Sequence, residues 1–386
     1  MNRGLADWLA ALLFLGVLVS WAPGYWPVAL VQVGAFVLFG WAVMMRRVVP
    51  AELPLWALAG VVGWGWAQFA SGATVYRLET GKAILYWAAG TSIFTVARTA
   101  CALNVTRNRV LRWLLWMGSA VSLLVVVGYF TSQGRIFWWF TSGQHRVLGP
   151  FLYKNECAAF VELVLPLVVY QSLVDDRDSL AYMGSAAVMV AAVITAASRA
   201  GAALVTAELV AIMLLAWRCG LIPLARLRRR LAWTAALAIA FGAVVGWQVA
   251  VDKFREPEPY RVRGELLRSS LEMFAERPLA GFGLGTWPTV YPAYARFDNG
   301  LAANHAHNDW AEWAAEGGVP FVALLGLLAI WTIRPAMDSL WGIGVPVVLL
   351  HSMVDYPLRE PALAAVFFAM TGALAAREGK ASPPAS

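Results

Sequence analysis

Charge is what this chain has least of. Only 14% of its 386 residues are Asp, Glu, Lys or Arg and four are histidine, while 60% are hydrophobic and the mean hydropathy is +0.63. So few charges exclude a soluble globular domain and point to a polytopic membrane protein. Cysteine is scarce too: Cys101, Cys157 and Cys219 fall at different depths of the expected topology, so they read as small core residues and not as a disulfide or metal set. Internal repeats and low-complexity tracts are absent apart from the tail ASPPAS, which marks residues 377–386 as a disordered cytoplasmic tail. The net charge of +7 could suit nucleic acid, but arginines in short connections account for much of it as topology signals, and nucleic acid is not expected as a partner.

What is abundant is apolar sequence. Segments near Leu5 to Trp21, Val28 to Met45, Leu53 to Phe69, Ala83 to Val96, Leu111 to Phe130, Cys157 to Val174, Leu180 to Ala197, Ala200 to Trp217, Leu231 to Val251, Val319 to Ile333, Ala336 to Val354 and Pro361 to Ala376 each approach the roughly 20 residues a bilayer requires. The expectation is an all-α polytopic membrane protein of about twelve transmembrane helices, one transmembrane domain over residues 1–376. Arg46, Arg47, Arg107, Arg109, Arg112, Arg226, Arg228, Arg229, Arg230 and Arg334 fall on one side if both termini are cytoplasmic. The first apolar segment ends in WAPGYW without a small-residue cleavage pattern and reads as a retained helix. Two long extracytoplasmic loops remain, about Thr131 to Glu156 and about Asp252 to Gly318.

Several cations lie in or beside these loops, against the topological preference. Ser198 reads as an N-cap, which puts Arg199 in the first helical turn, where a cation opposes the helix dipole unless an anion sits at the same end; the alternative is an arginine snorkelling to headgroups. Arg263 opens RVRGELLRSSLEMFAER, whose Leu267, Ser270, Leu271 and Phe274 recur at helical spacing, as in an amphipathic helix on the outer membrane surface. Counting by four places Arg263 on the stripe of Leu267 and Leu271, expected to be buried, with a protein carboxylate or a lipid phosphate as partner and Arg268 facing water. Arg146 stands before a Gly149-Pro150 turn, and Lys154 and Asn155 precede the next helix; together they can cradle phosphate oxygens or serve as ordinary interfacial groups. The run PLAGFGLGTW has no preceding strand, so its glycines read as turn formers and not as a dinucleotide loop.

The stretch NHAHNDWAEWAAEGGVPF carries His305 and His307 where a polar loop meets an apolar helix. Their spacing matches no strong metal motif, and proton transfer suits a histidine better, so His307 is the candidate base, with Asn308 or Asp309 orienting its ring. The alternative for either histidine is to hold the loop. His351 stands four residues before Asp355 and can pair with it, with Arg359 close by.

Taken in order, Arg146-x-x-Gly149, Asn155 before a helix, Ser198-Arg199, Arg263 with Glu272-Met273, PLAGFGLGTW with Tyr291-Pro292, HAHNDW and HSMVDYPLREPA resemble the O-antigen ligase and O-antigen polymerase superfamily over about Arg146 to Ala365. The resemblance implies a GT-C-like fold, periplasmic placement of both loops, and residence in the bacterial inner membrane with the active site facing the periplasm. It implies an inverting glycosyltransferase, ligase-like, that moves a polysaccharide or repeat unit from undecaprenyl diphosphate to an acceptor hydroxyl of lipid A core; the alternative is a polymerase whose acceptor is another lipid-linked glycan. Its functional residues carry over to Arg199, Arg263 and His307 as catalytic. Arg146, Lys154, Asn155, His305, Asn308 and Asp309 are candidates for binding diphosphate or glycan. No cofactor and no metal are expected; the remaining partners are membrane lipids. The ligase-type pattern is met up to Gly318 but has Phe321 at its last place. A flippase or transporter for lipid-linked sugars is the reading from a different class, with Glu208 and Asp338 as its candidate midplane charges.

Overall fold

A computed structural model of the chain describes residues 2–45, 52–142, 147–221, 260–296 and 302–378, with scattered positions between 223 and 240. Arg146, most of the expected span at Leu231 to Val251 and the tail from 379 lie outside the described residues.

The described chain is almost entirely helical. α1 covers Asn2–Val19, α2 Trp26–Met44, α3 Leu53–Ser71, α4 Arg77–Ala100 and α5 Asn104–Thr131. A two-stranded hairpin follows, β1 Arg135–Ile136 against β2 Phe140–Thr141. Next come α6 Lys154–Val174, α7 Ser179–Ala196, α8 Arg199–Arg218, α9 Tyr260–Glu276, the short α10 Trp287–Val290, α11 Asp309–Asp338, α12 Gly344–His351 and α13 Pro361–Glu378. Among the described residues six helices are long and apolar enough to cross a membrane: α2, α5, α6, α7, α8 and α11. The expected segments in α1, α3, α4 and α13 are helical as well. Ala336 to Val354, expected as one span, is divided: α11 ends at Asp338, a 3-10 turn covers Leu340–Gly342, and α12 has eight residues.

α6 is the centre of the bundle, buried without interruption from Glu156 to Val169 and packed on by α5, α7, α8 and α12. Lipid is as apolar as leucine, so close packing and not water exclusion holds such helices together, and small residues let backbones approach. A Cβ on Gly201 would lie 2.3 Å from the Ala158 side chain, and one on Gly344 would lie 2.1 Å from the Glu162 carbonyl, so α8 and α12 each meet α6 at near backbone contact. Of the three cysteines, Cys101 and Cys157 are buried; Cys219, expected in the core, is exposed at the end of α8.

α11 is bent by its own sequence. Gly318 adopts φ 65 and ψ −170 inside the helix, and Pro320 has no N–H to give the Glu316 carbonyl. Freed polar groups in an apolar setting cost several kcal/mol each unless they find other partners. The PLAGFGLGTW loop supplies them: Phe282 N donates to Ala315 O (3.0 Å), Gly283 N to Glu316 O (2.9 Å), and Pro278 O accepts from Val319 N (2.8 Å). From α3, Gln68 Nε2 donates to Glu316 O (2.8 Å) and Trp64 Nε1 to Gly317 O (2.8 Å). Gly281 (φ 65), Gly283 (φ 109) and Gly285 (φ 76) all take the left-handed turn conformations read from the sequence.

The α9 helix forms, but with a different buried face. Leu266, Ser269, Ser270 and Met273 turn inward, while Leu267 (38% exposed) and Leu271 (50%) turn outward. In a chain bordered by lipid an outward leucine is as stable as an inward one, so apolar spacing alone does not choose the face.

Gly281 should therefore resist substitution. In Gly281→Ala the new Cβ would meet Glu316 O at 2.2 Å on a left-handed backbone, a cost of roughly 1–3 kcal/mol from the conformation alone. Thermal denaturation in detergent should show a clear drop, whereas Gly264→Ala, whose Cβ meets nothing within 4 Å, should match or exceed the wild type.

Candidate functional site

Two loops meet at one end of the bundle. Asn308 caps α11, its Oδ1 accepting from Ala311 N (2.9 Å), and its Nδ2 donates across to Met353 O (2.7 Å). Asp309 N donates to Ser352 O (2.8 Å) and to Asp355 O (3.1 Å), which ties the segment before α11 to the turn after α12. His307 lies between them with φ 49, a left-handed conformation that costs a non-glycine residue on the order of 1 kcal/mol or more.

That backbone presents the His307 ring to Asp355: Nδ1 lies 3.2 Å from Asp355 Oδ1. The same carboxylate accepts from Tyr356 N (2.9 Å) and, at Oδ2, from the Asn155 side-chain amide. Arg263 Nη2 stands 3.7 Å from Oδ2, while its Nη1 donates to Val354 O (3.2 Å). Asn155 is held in turn by Ser198 Oγ, which donates to its Oδ1 (2.7 Å) and caps α8 by accepting from Gly201 N (3.1 Å). Burial alone would push the Asp355 carboxyl up; the hydrogen bond and charge of His307, with the charges of Arg263 and His351, outweigh it and hold the group below the usual 3.8. A carboxylate on Nδ1 orients the ring and leaves Nε2 as the free basic nitrogen.

His305 is differently placed. Its Nδ1 is 3.1 Å from Glu312 Oε1, and Glu312 Oε2 accepts from Ala306 N (2.8 Å). Tyr356 lies between the two histidines, its centroid 4.5 Å from the His305 ring at 30° and 4.9 Å from that of His307 at 70°. Burial and the nearby Asp355 and Glu156 carboxylates raise the Tyr356 phenol well above its ordinary value, so it stays protonated.

Behind the loops stands Arg359. Asp309, Glu312 and Glu316 fall at i, i+3 and i+7 on one face of α11, each at most 1% exposed. The Arg359 guanidinium enters among them: Nη2 donates to Glu316 Oε2 (2.8 Å), and Nε lies 3.3 Å from Glu312 and 3.6 Å from Asp309. Burial disfavours its charge, but the three carboxylates more than offset this and keep it protonated. Their other oxygens bind backbone, Glu316 accepting from Trp287 N (3.1 Å) and Asp309 from Leu358 N (3.1 Å).

Asn155, Arg263 and His307 thus gather at Asp355, with Arg199 one residue beyond Ser198 at the first position of α8 and Lys154 beginning α6. Arg146 lies outside the described residues. Asn308 and Asp309 do not orient the His307 ring: the first caps a helix and the second pairs with Arg359, and the orienting carboxylate is Asp355. His351 pairs with Glu162, its Nδ1 2.9 Å from both oxygens, and not with Asp355; a four-residue spacing pairs side chains only on a continuing helix, and α12 ends at His351. Sequence reasoning missed the Arg359 cluster, although the spacing of its carboxylates was visible. Among the described residues no group of three or more His, Cys, Asp or Glu is arranged to hold a metal ion.

Comparison with known families matches residues 184–326 to the O-antigen ligase model, Wzy_C. No curated protein matches the chain. The matched stretch runs from α7 through the kink of α11 and contains Arg199, Arg263 and His307. It supports the O-antigen ligase and polymerase superfamily and, with the apolar helices, a bacterial membrane protein of glycosyltransferase-like type.

Two stability predictions follow from these charges. Arg359→Met leaves three buried carboxylates without their cation and should cost roughly 3–5 kcal/mol, seen as loss of the folded protein or a steep fall in melting temperature. The Asp355 carboxyl is depressed in the folded state, so its stabilisation is complete above pH 3.8 and is lost as pH falls through the lower folded value. The melting-temperature gap between wild type and Asp355→Asn should hold steady from neutrality to about pH 4 and narrow only below it.

Proposed function

We propose, from the O-antigen ligase relationship and the geometry around Asp355, that the chain is an inverting glycosyltransferase taking a glycan from undecaprenyl diphosphate at the periplasmic face of the inner membrane. The observation that carries this reading is a histidine backed by a carboxylate beside a partly exposed arginine, at one end of a membrane bundle.

The acceptor hydroxyl attacks the sugar C1 as the bond from C1 to the diphosphate oxygen breaks. His307 Nε2 takes the hydroxyl proton, and Asp355 on Nδ1 stabilises the imidazolium that forms. The departing diphosphate gains negative charge, which Arg263 and Arg199 stabilise. Arg263 has five N–H donors; those not spent on Val354 O and Asp355 remain for phosphate. The glycosyl diphosphate supplies the driving force, so no ATP enters. Lys154, Asn155 and His305 serve as binding groups, Asn155 chiefly by holding Asp355, and Arg146, which lies outside the described residues, is assigned to diphosphate on the family resemblance alone. The whole of residues 1–376 acts as one transmembrane domain with both termini cytoplasmic.

Of the two acceptors, lipid A core makes the protein a ligase, the preferred reading; a second lipid-linked glycan makes it a polymerase. Glycan transfer from a purified undecaprenyl-diphosphate donor in detergent, offered each acceptor in turn, decides between them. His307→Gln should lower kcat by about 10²–10⁴-fold, and Arg263→Lys should rescue little because a point charge does not replace a planar fork. Wild-type turnover in His307→Gln would remove the histidine from the mechanism. Movement of donor across vesicles with no product on either acceptor would replace the enzyme by a flippase.

A further inference from the structure

Below the Asp355 cluster lies a second set of polar groups inside the bundle. Glu162 of α6 and His351 of α12 are both fully buried, paired at 2.9 Å. Glu162 comes seven residues after Asn155, two helical turns on the same face, or about 10 Å deeper. His351 comes four residues before Asp355. α6 is therefore joined by two rungs to α12 and the turn that follows it, Asn155 to Asp355 at the site and Glu162 to His351 beneath it.

The lower rung bears directly on the upper one. The His351 carbonyl accepts from both Val354 N (2.9 Å) and Asp355 N (3.1 Å), so the turn carrying Asp355 hangs from His351. Val354 O in turn receives Arg263, and Asp309 N binds the carbonyls of Ser352 and Asp355. Gly344, two turns before His351, packs against the Glu162 carbonyl with no room for a Cβ. A buried pair of ionisable groups is an expensive way to join helices; apolar residues of similar volume are often equally stable or better. What such a pair adds is direction, because a hydrogen bond between a ring and a carboxylate fixes orientation as a leucine contact does not.

We propose that Glu162 and His351 are positioning residues for the transfer reaction, holding the 351–355 turn so that Asp355 faces His307 at hydrogen-bond distance. The inference rests on the proposed function. Neither residue touches substrate; both act through Asp355.

The decisive variant removes both partners together. Glu162→Met/His351→Leu leaves no buried charge unpaired, so its melting temperature should equal or exceed that of the wild type. Its kcat for glycan transfer should nonetheless fall about tenfold or more, with the KM for donor within about twofold. Glu162→Gln, which keeps an acceptor for the imidazole, should recover most of the rate. In an Asp355→Asn background the double substitution should cost nothing further, since the carboxylate it positions is gone. Glu208→Gln is the control: Glu208 is buried in α8 and close enough to Glu162 for their charges to interact, yet it makes no bond to the turn, so its substitution should leave kcat unchanged. A stable double variant with wild-type kcat overturns the inference, as does the same fold-loss in the Asp355→Asn background or an equal loss from Glu208→Gln. A wild type that transfers nothing to any acceptor overturns the functional reading and the inference with it.

Discussion

The buried guanidinium of Arg359 is the constraint on which the architecture around the site depends. Three carboxylates on one face of α11 converge on it, and each also binds a different stretch of chain: Glu312 the His305 ring and the Ala306 backbone, Glu316 the start of α10, and Asp309 the 3-10 turn Pro357–Arg359 that carries Arg359 itself. Coulomb attraction at this depth is strong, and so is the cost of removing each ion from water; only a set with most of its hydrogen bonds made brings the two near balance. The site loops are thus anchored to a rigid helix end and not left to their own short-range preferences, as the proposed reaction requires of groups held within a fraction of an ångström.

A second constraint comes from the break in α11. Gly318 and Pro320 free carbonyls that the bilayer offers nothing to satisfy, and the glycine-rich loop before α10 fills that need with its own amides. The kink therefore attaches the loop to the helix. It also fixes where α9 ends, because Pro278 O receives Val319 N, and α9 carries Arg263. A helix defect and a distant arginine are in this way parts of one mechanical unit.

Much of this was legible in the sequence and some was not, for physical reasons. The helices, the Ser198 cap and the turn role of Gly281 and Gly283 follow from local patterns, and the structure brings Arg263 and His307, singled out from the sequence as candidates, to one carboxylate. The identity of that carboxylate was hidden. Asp355 meets Asn155 across 200 residues and His307 across 48, and no local spacing encodes such a pairing; proximity in sequence suggested His351 instead. Similarly the inward face of α9 could not be read from leucine spacing, since protein and lipid accept leucine equally. The broken helix after Asp338 was obscured because both halves are apolar and the interruptions, Asp338, Ser339, Gly342, Gly344 and Pro346, are scattered along the run.

The central claim is that diphosphate and base share the space in front of Asp355. A structure of the protein in lipid with an undecaprenyl-diphosphate-linked glycan bound tests it most directly. The account predicts phosphate oxygens within hydrogen-bond distance of Arg263 and Arg199, with sugar C1 turned toward the Nε2 side of His307. Diphosphate held by other cations, with His307 facing neither the sugar nor an acceptor path, would contradict it.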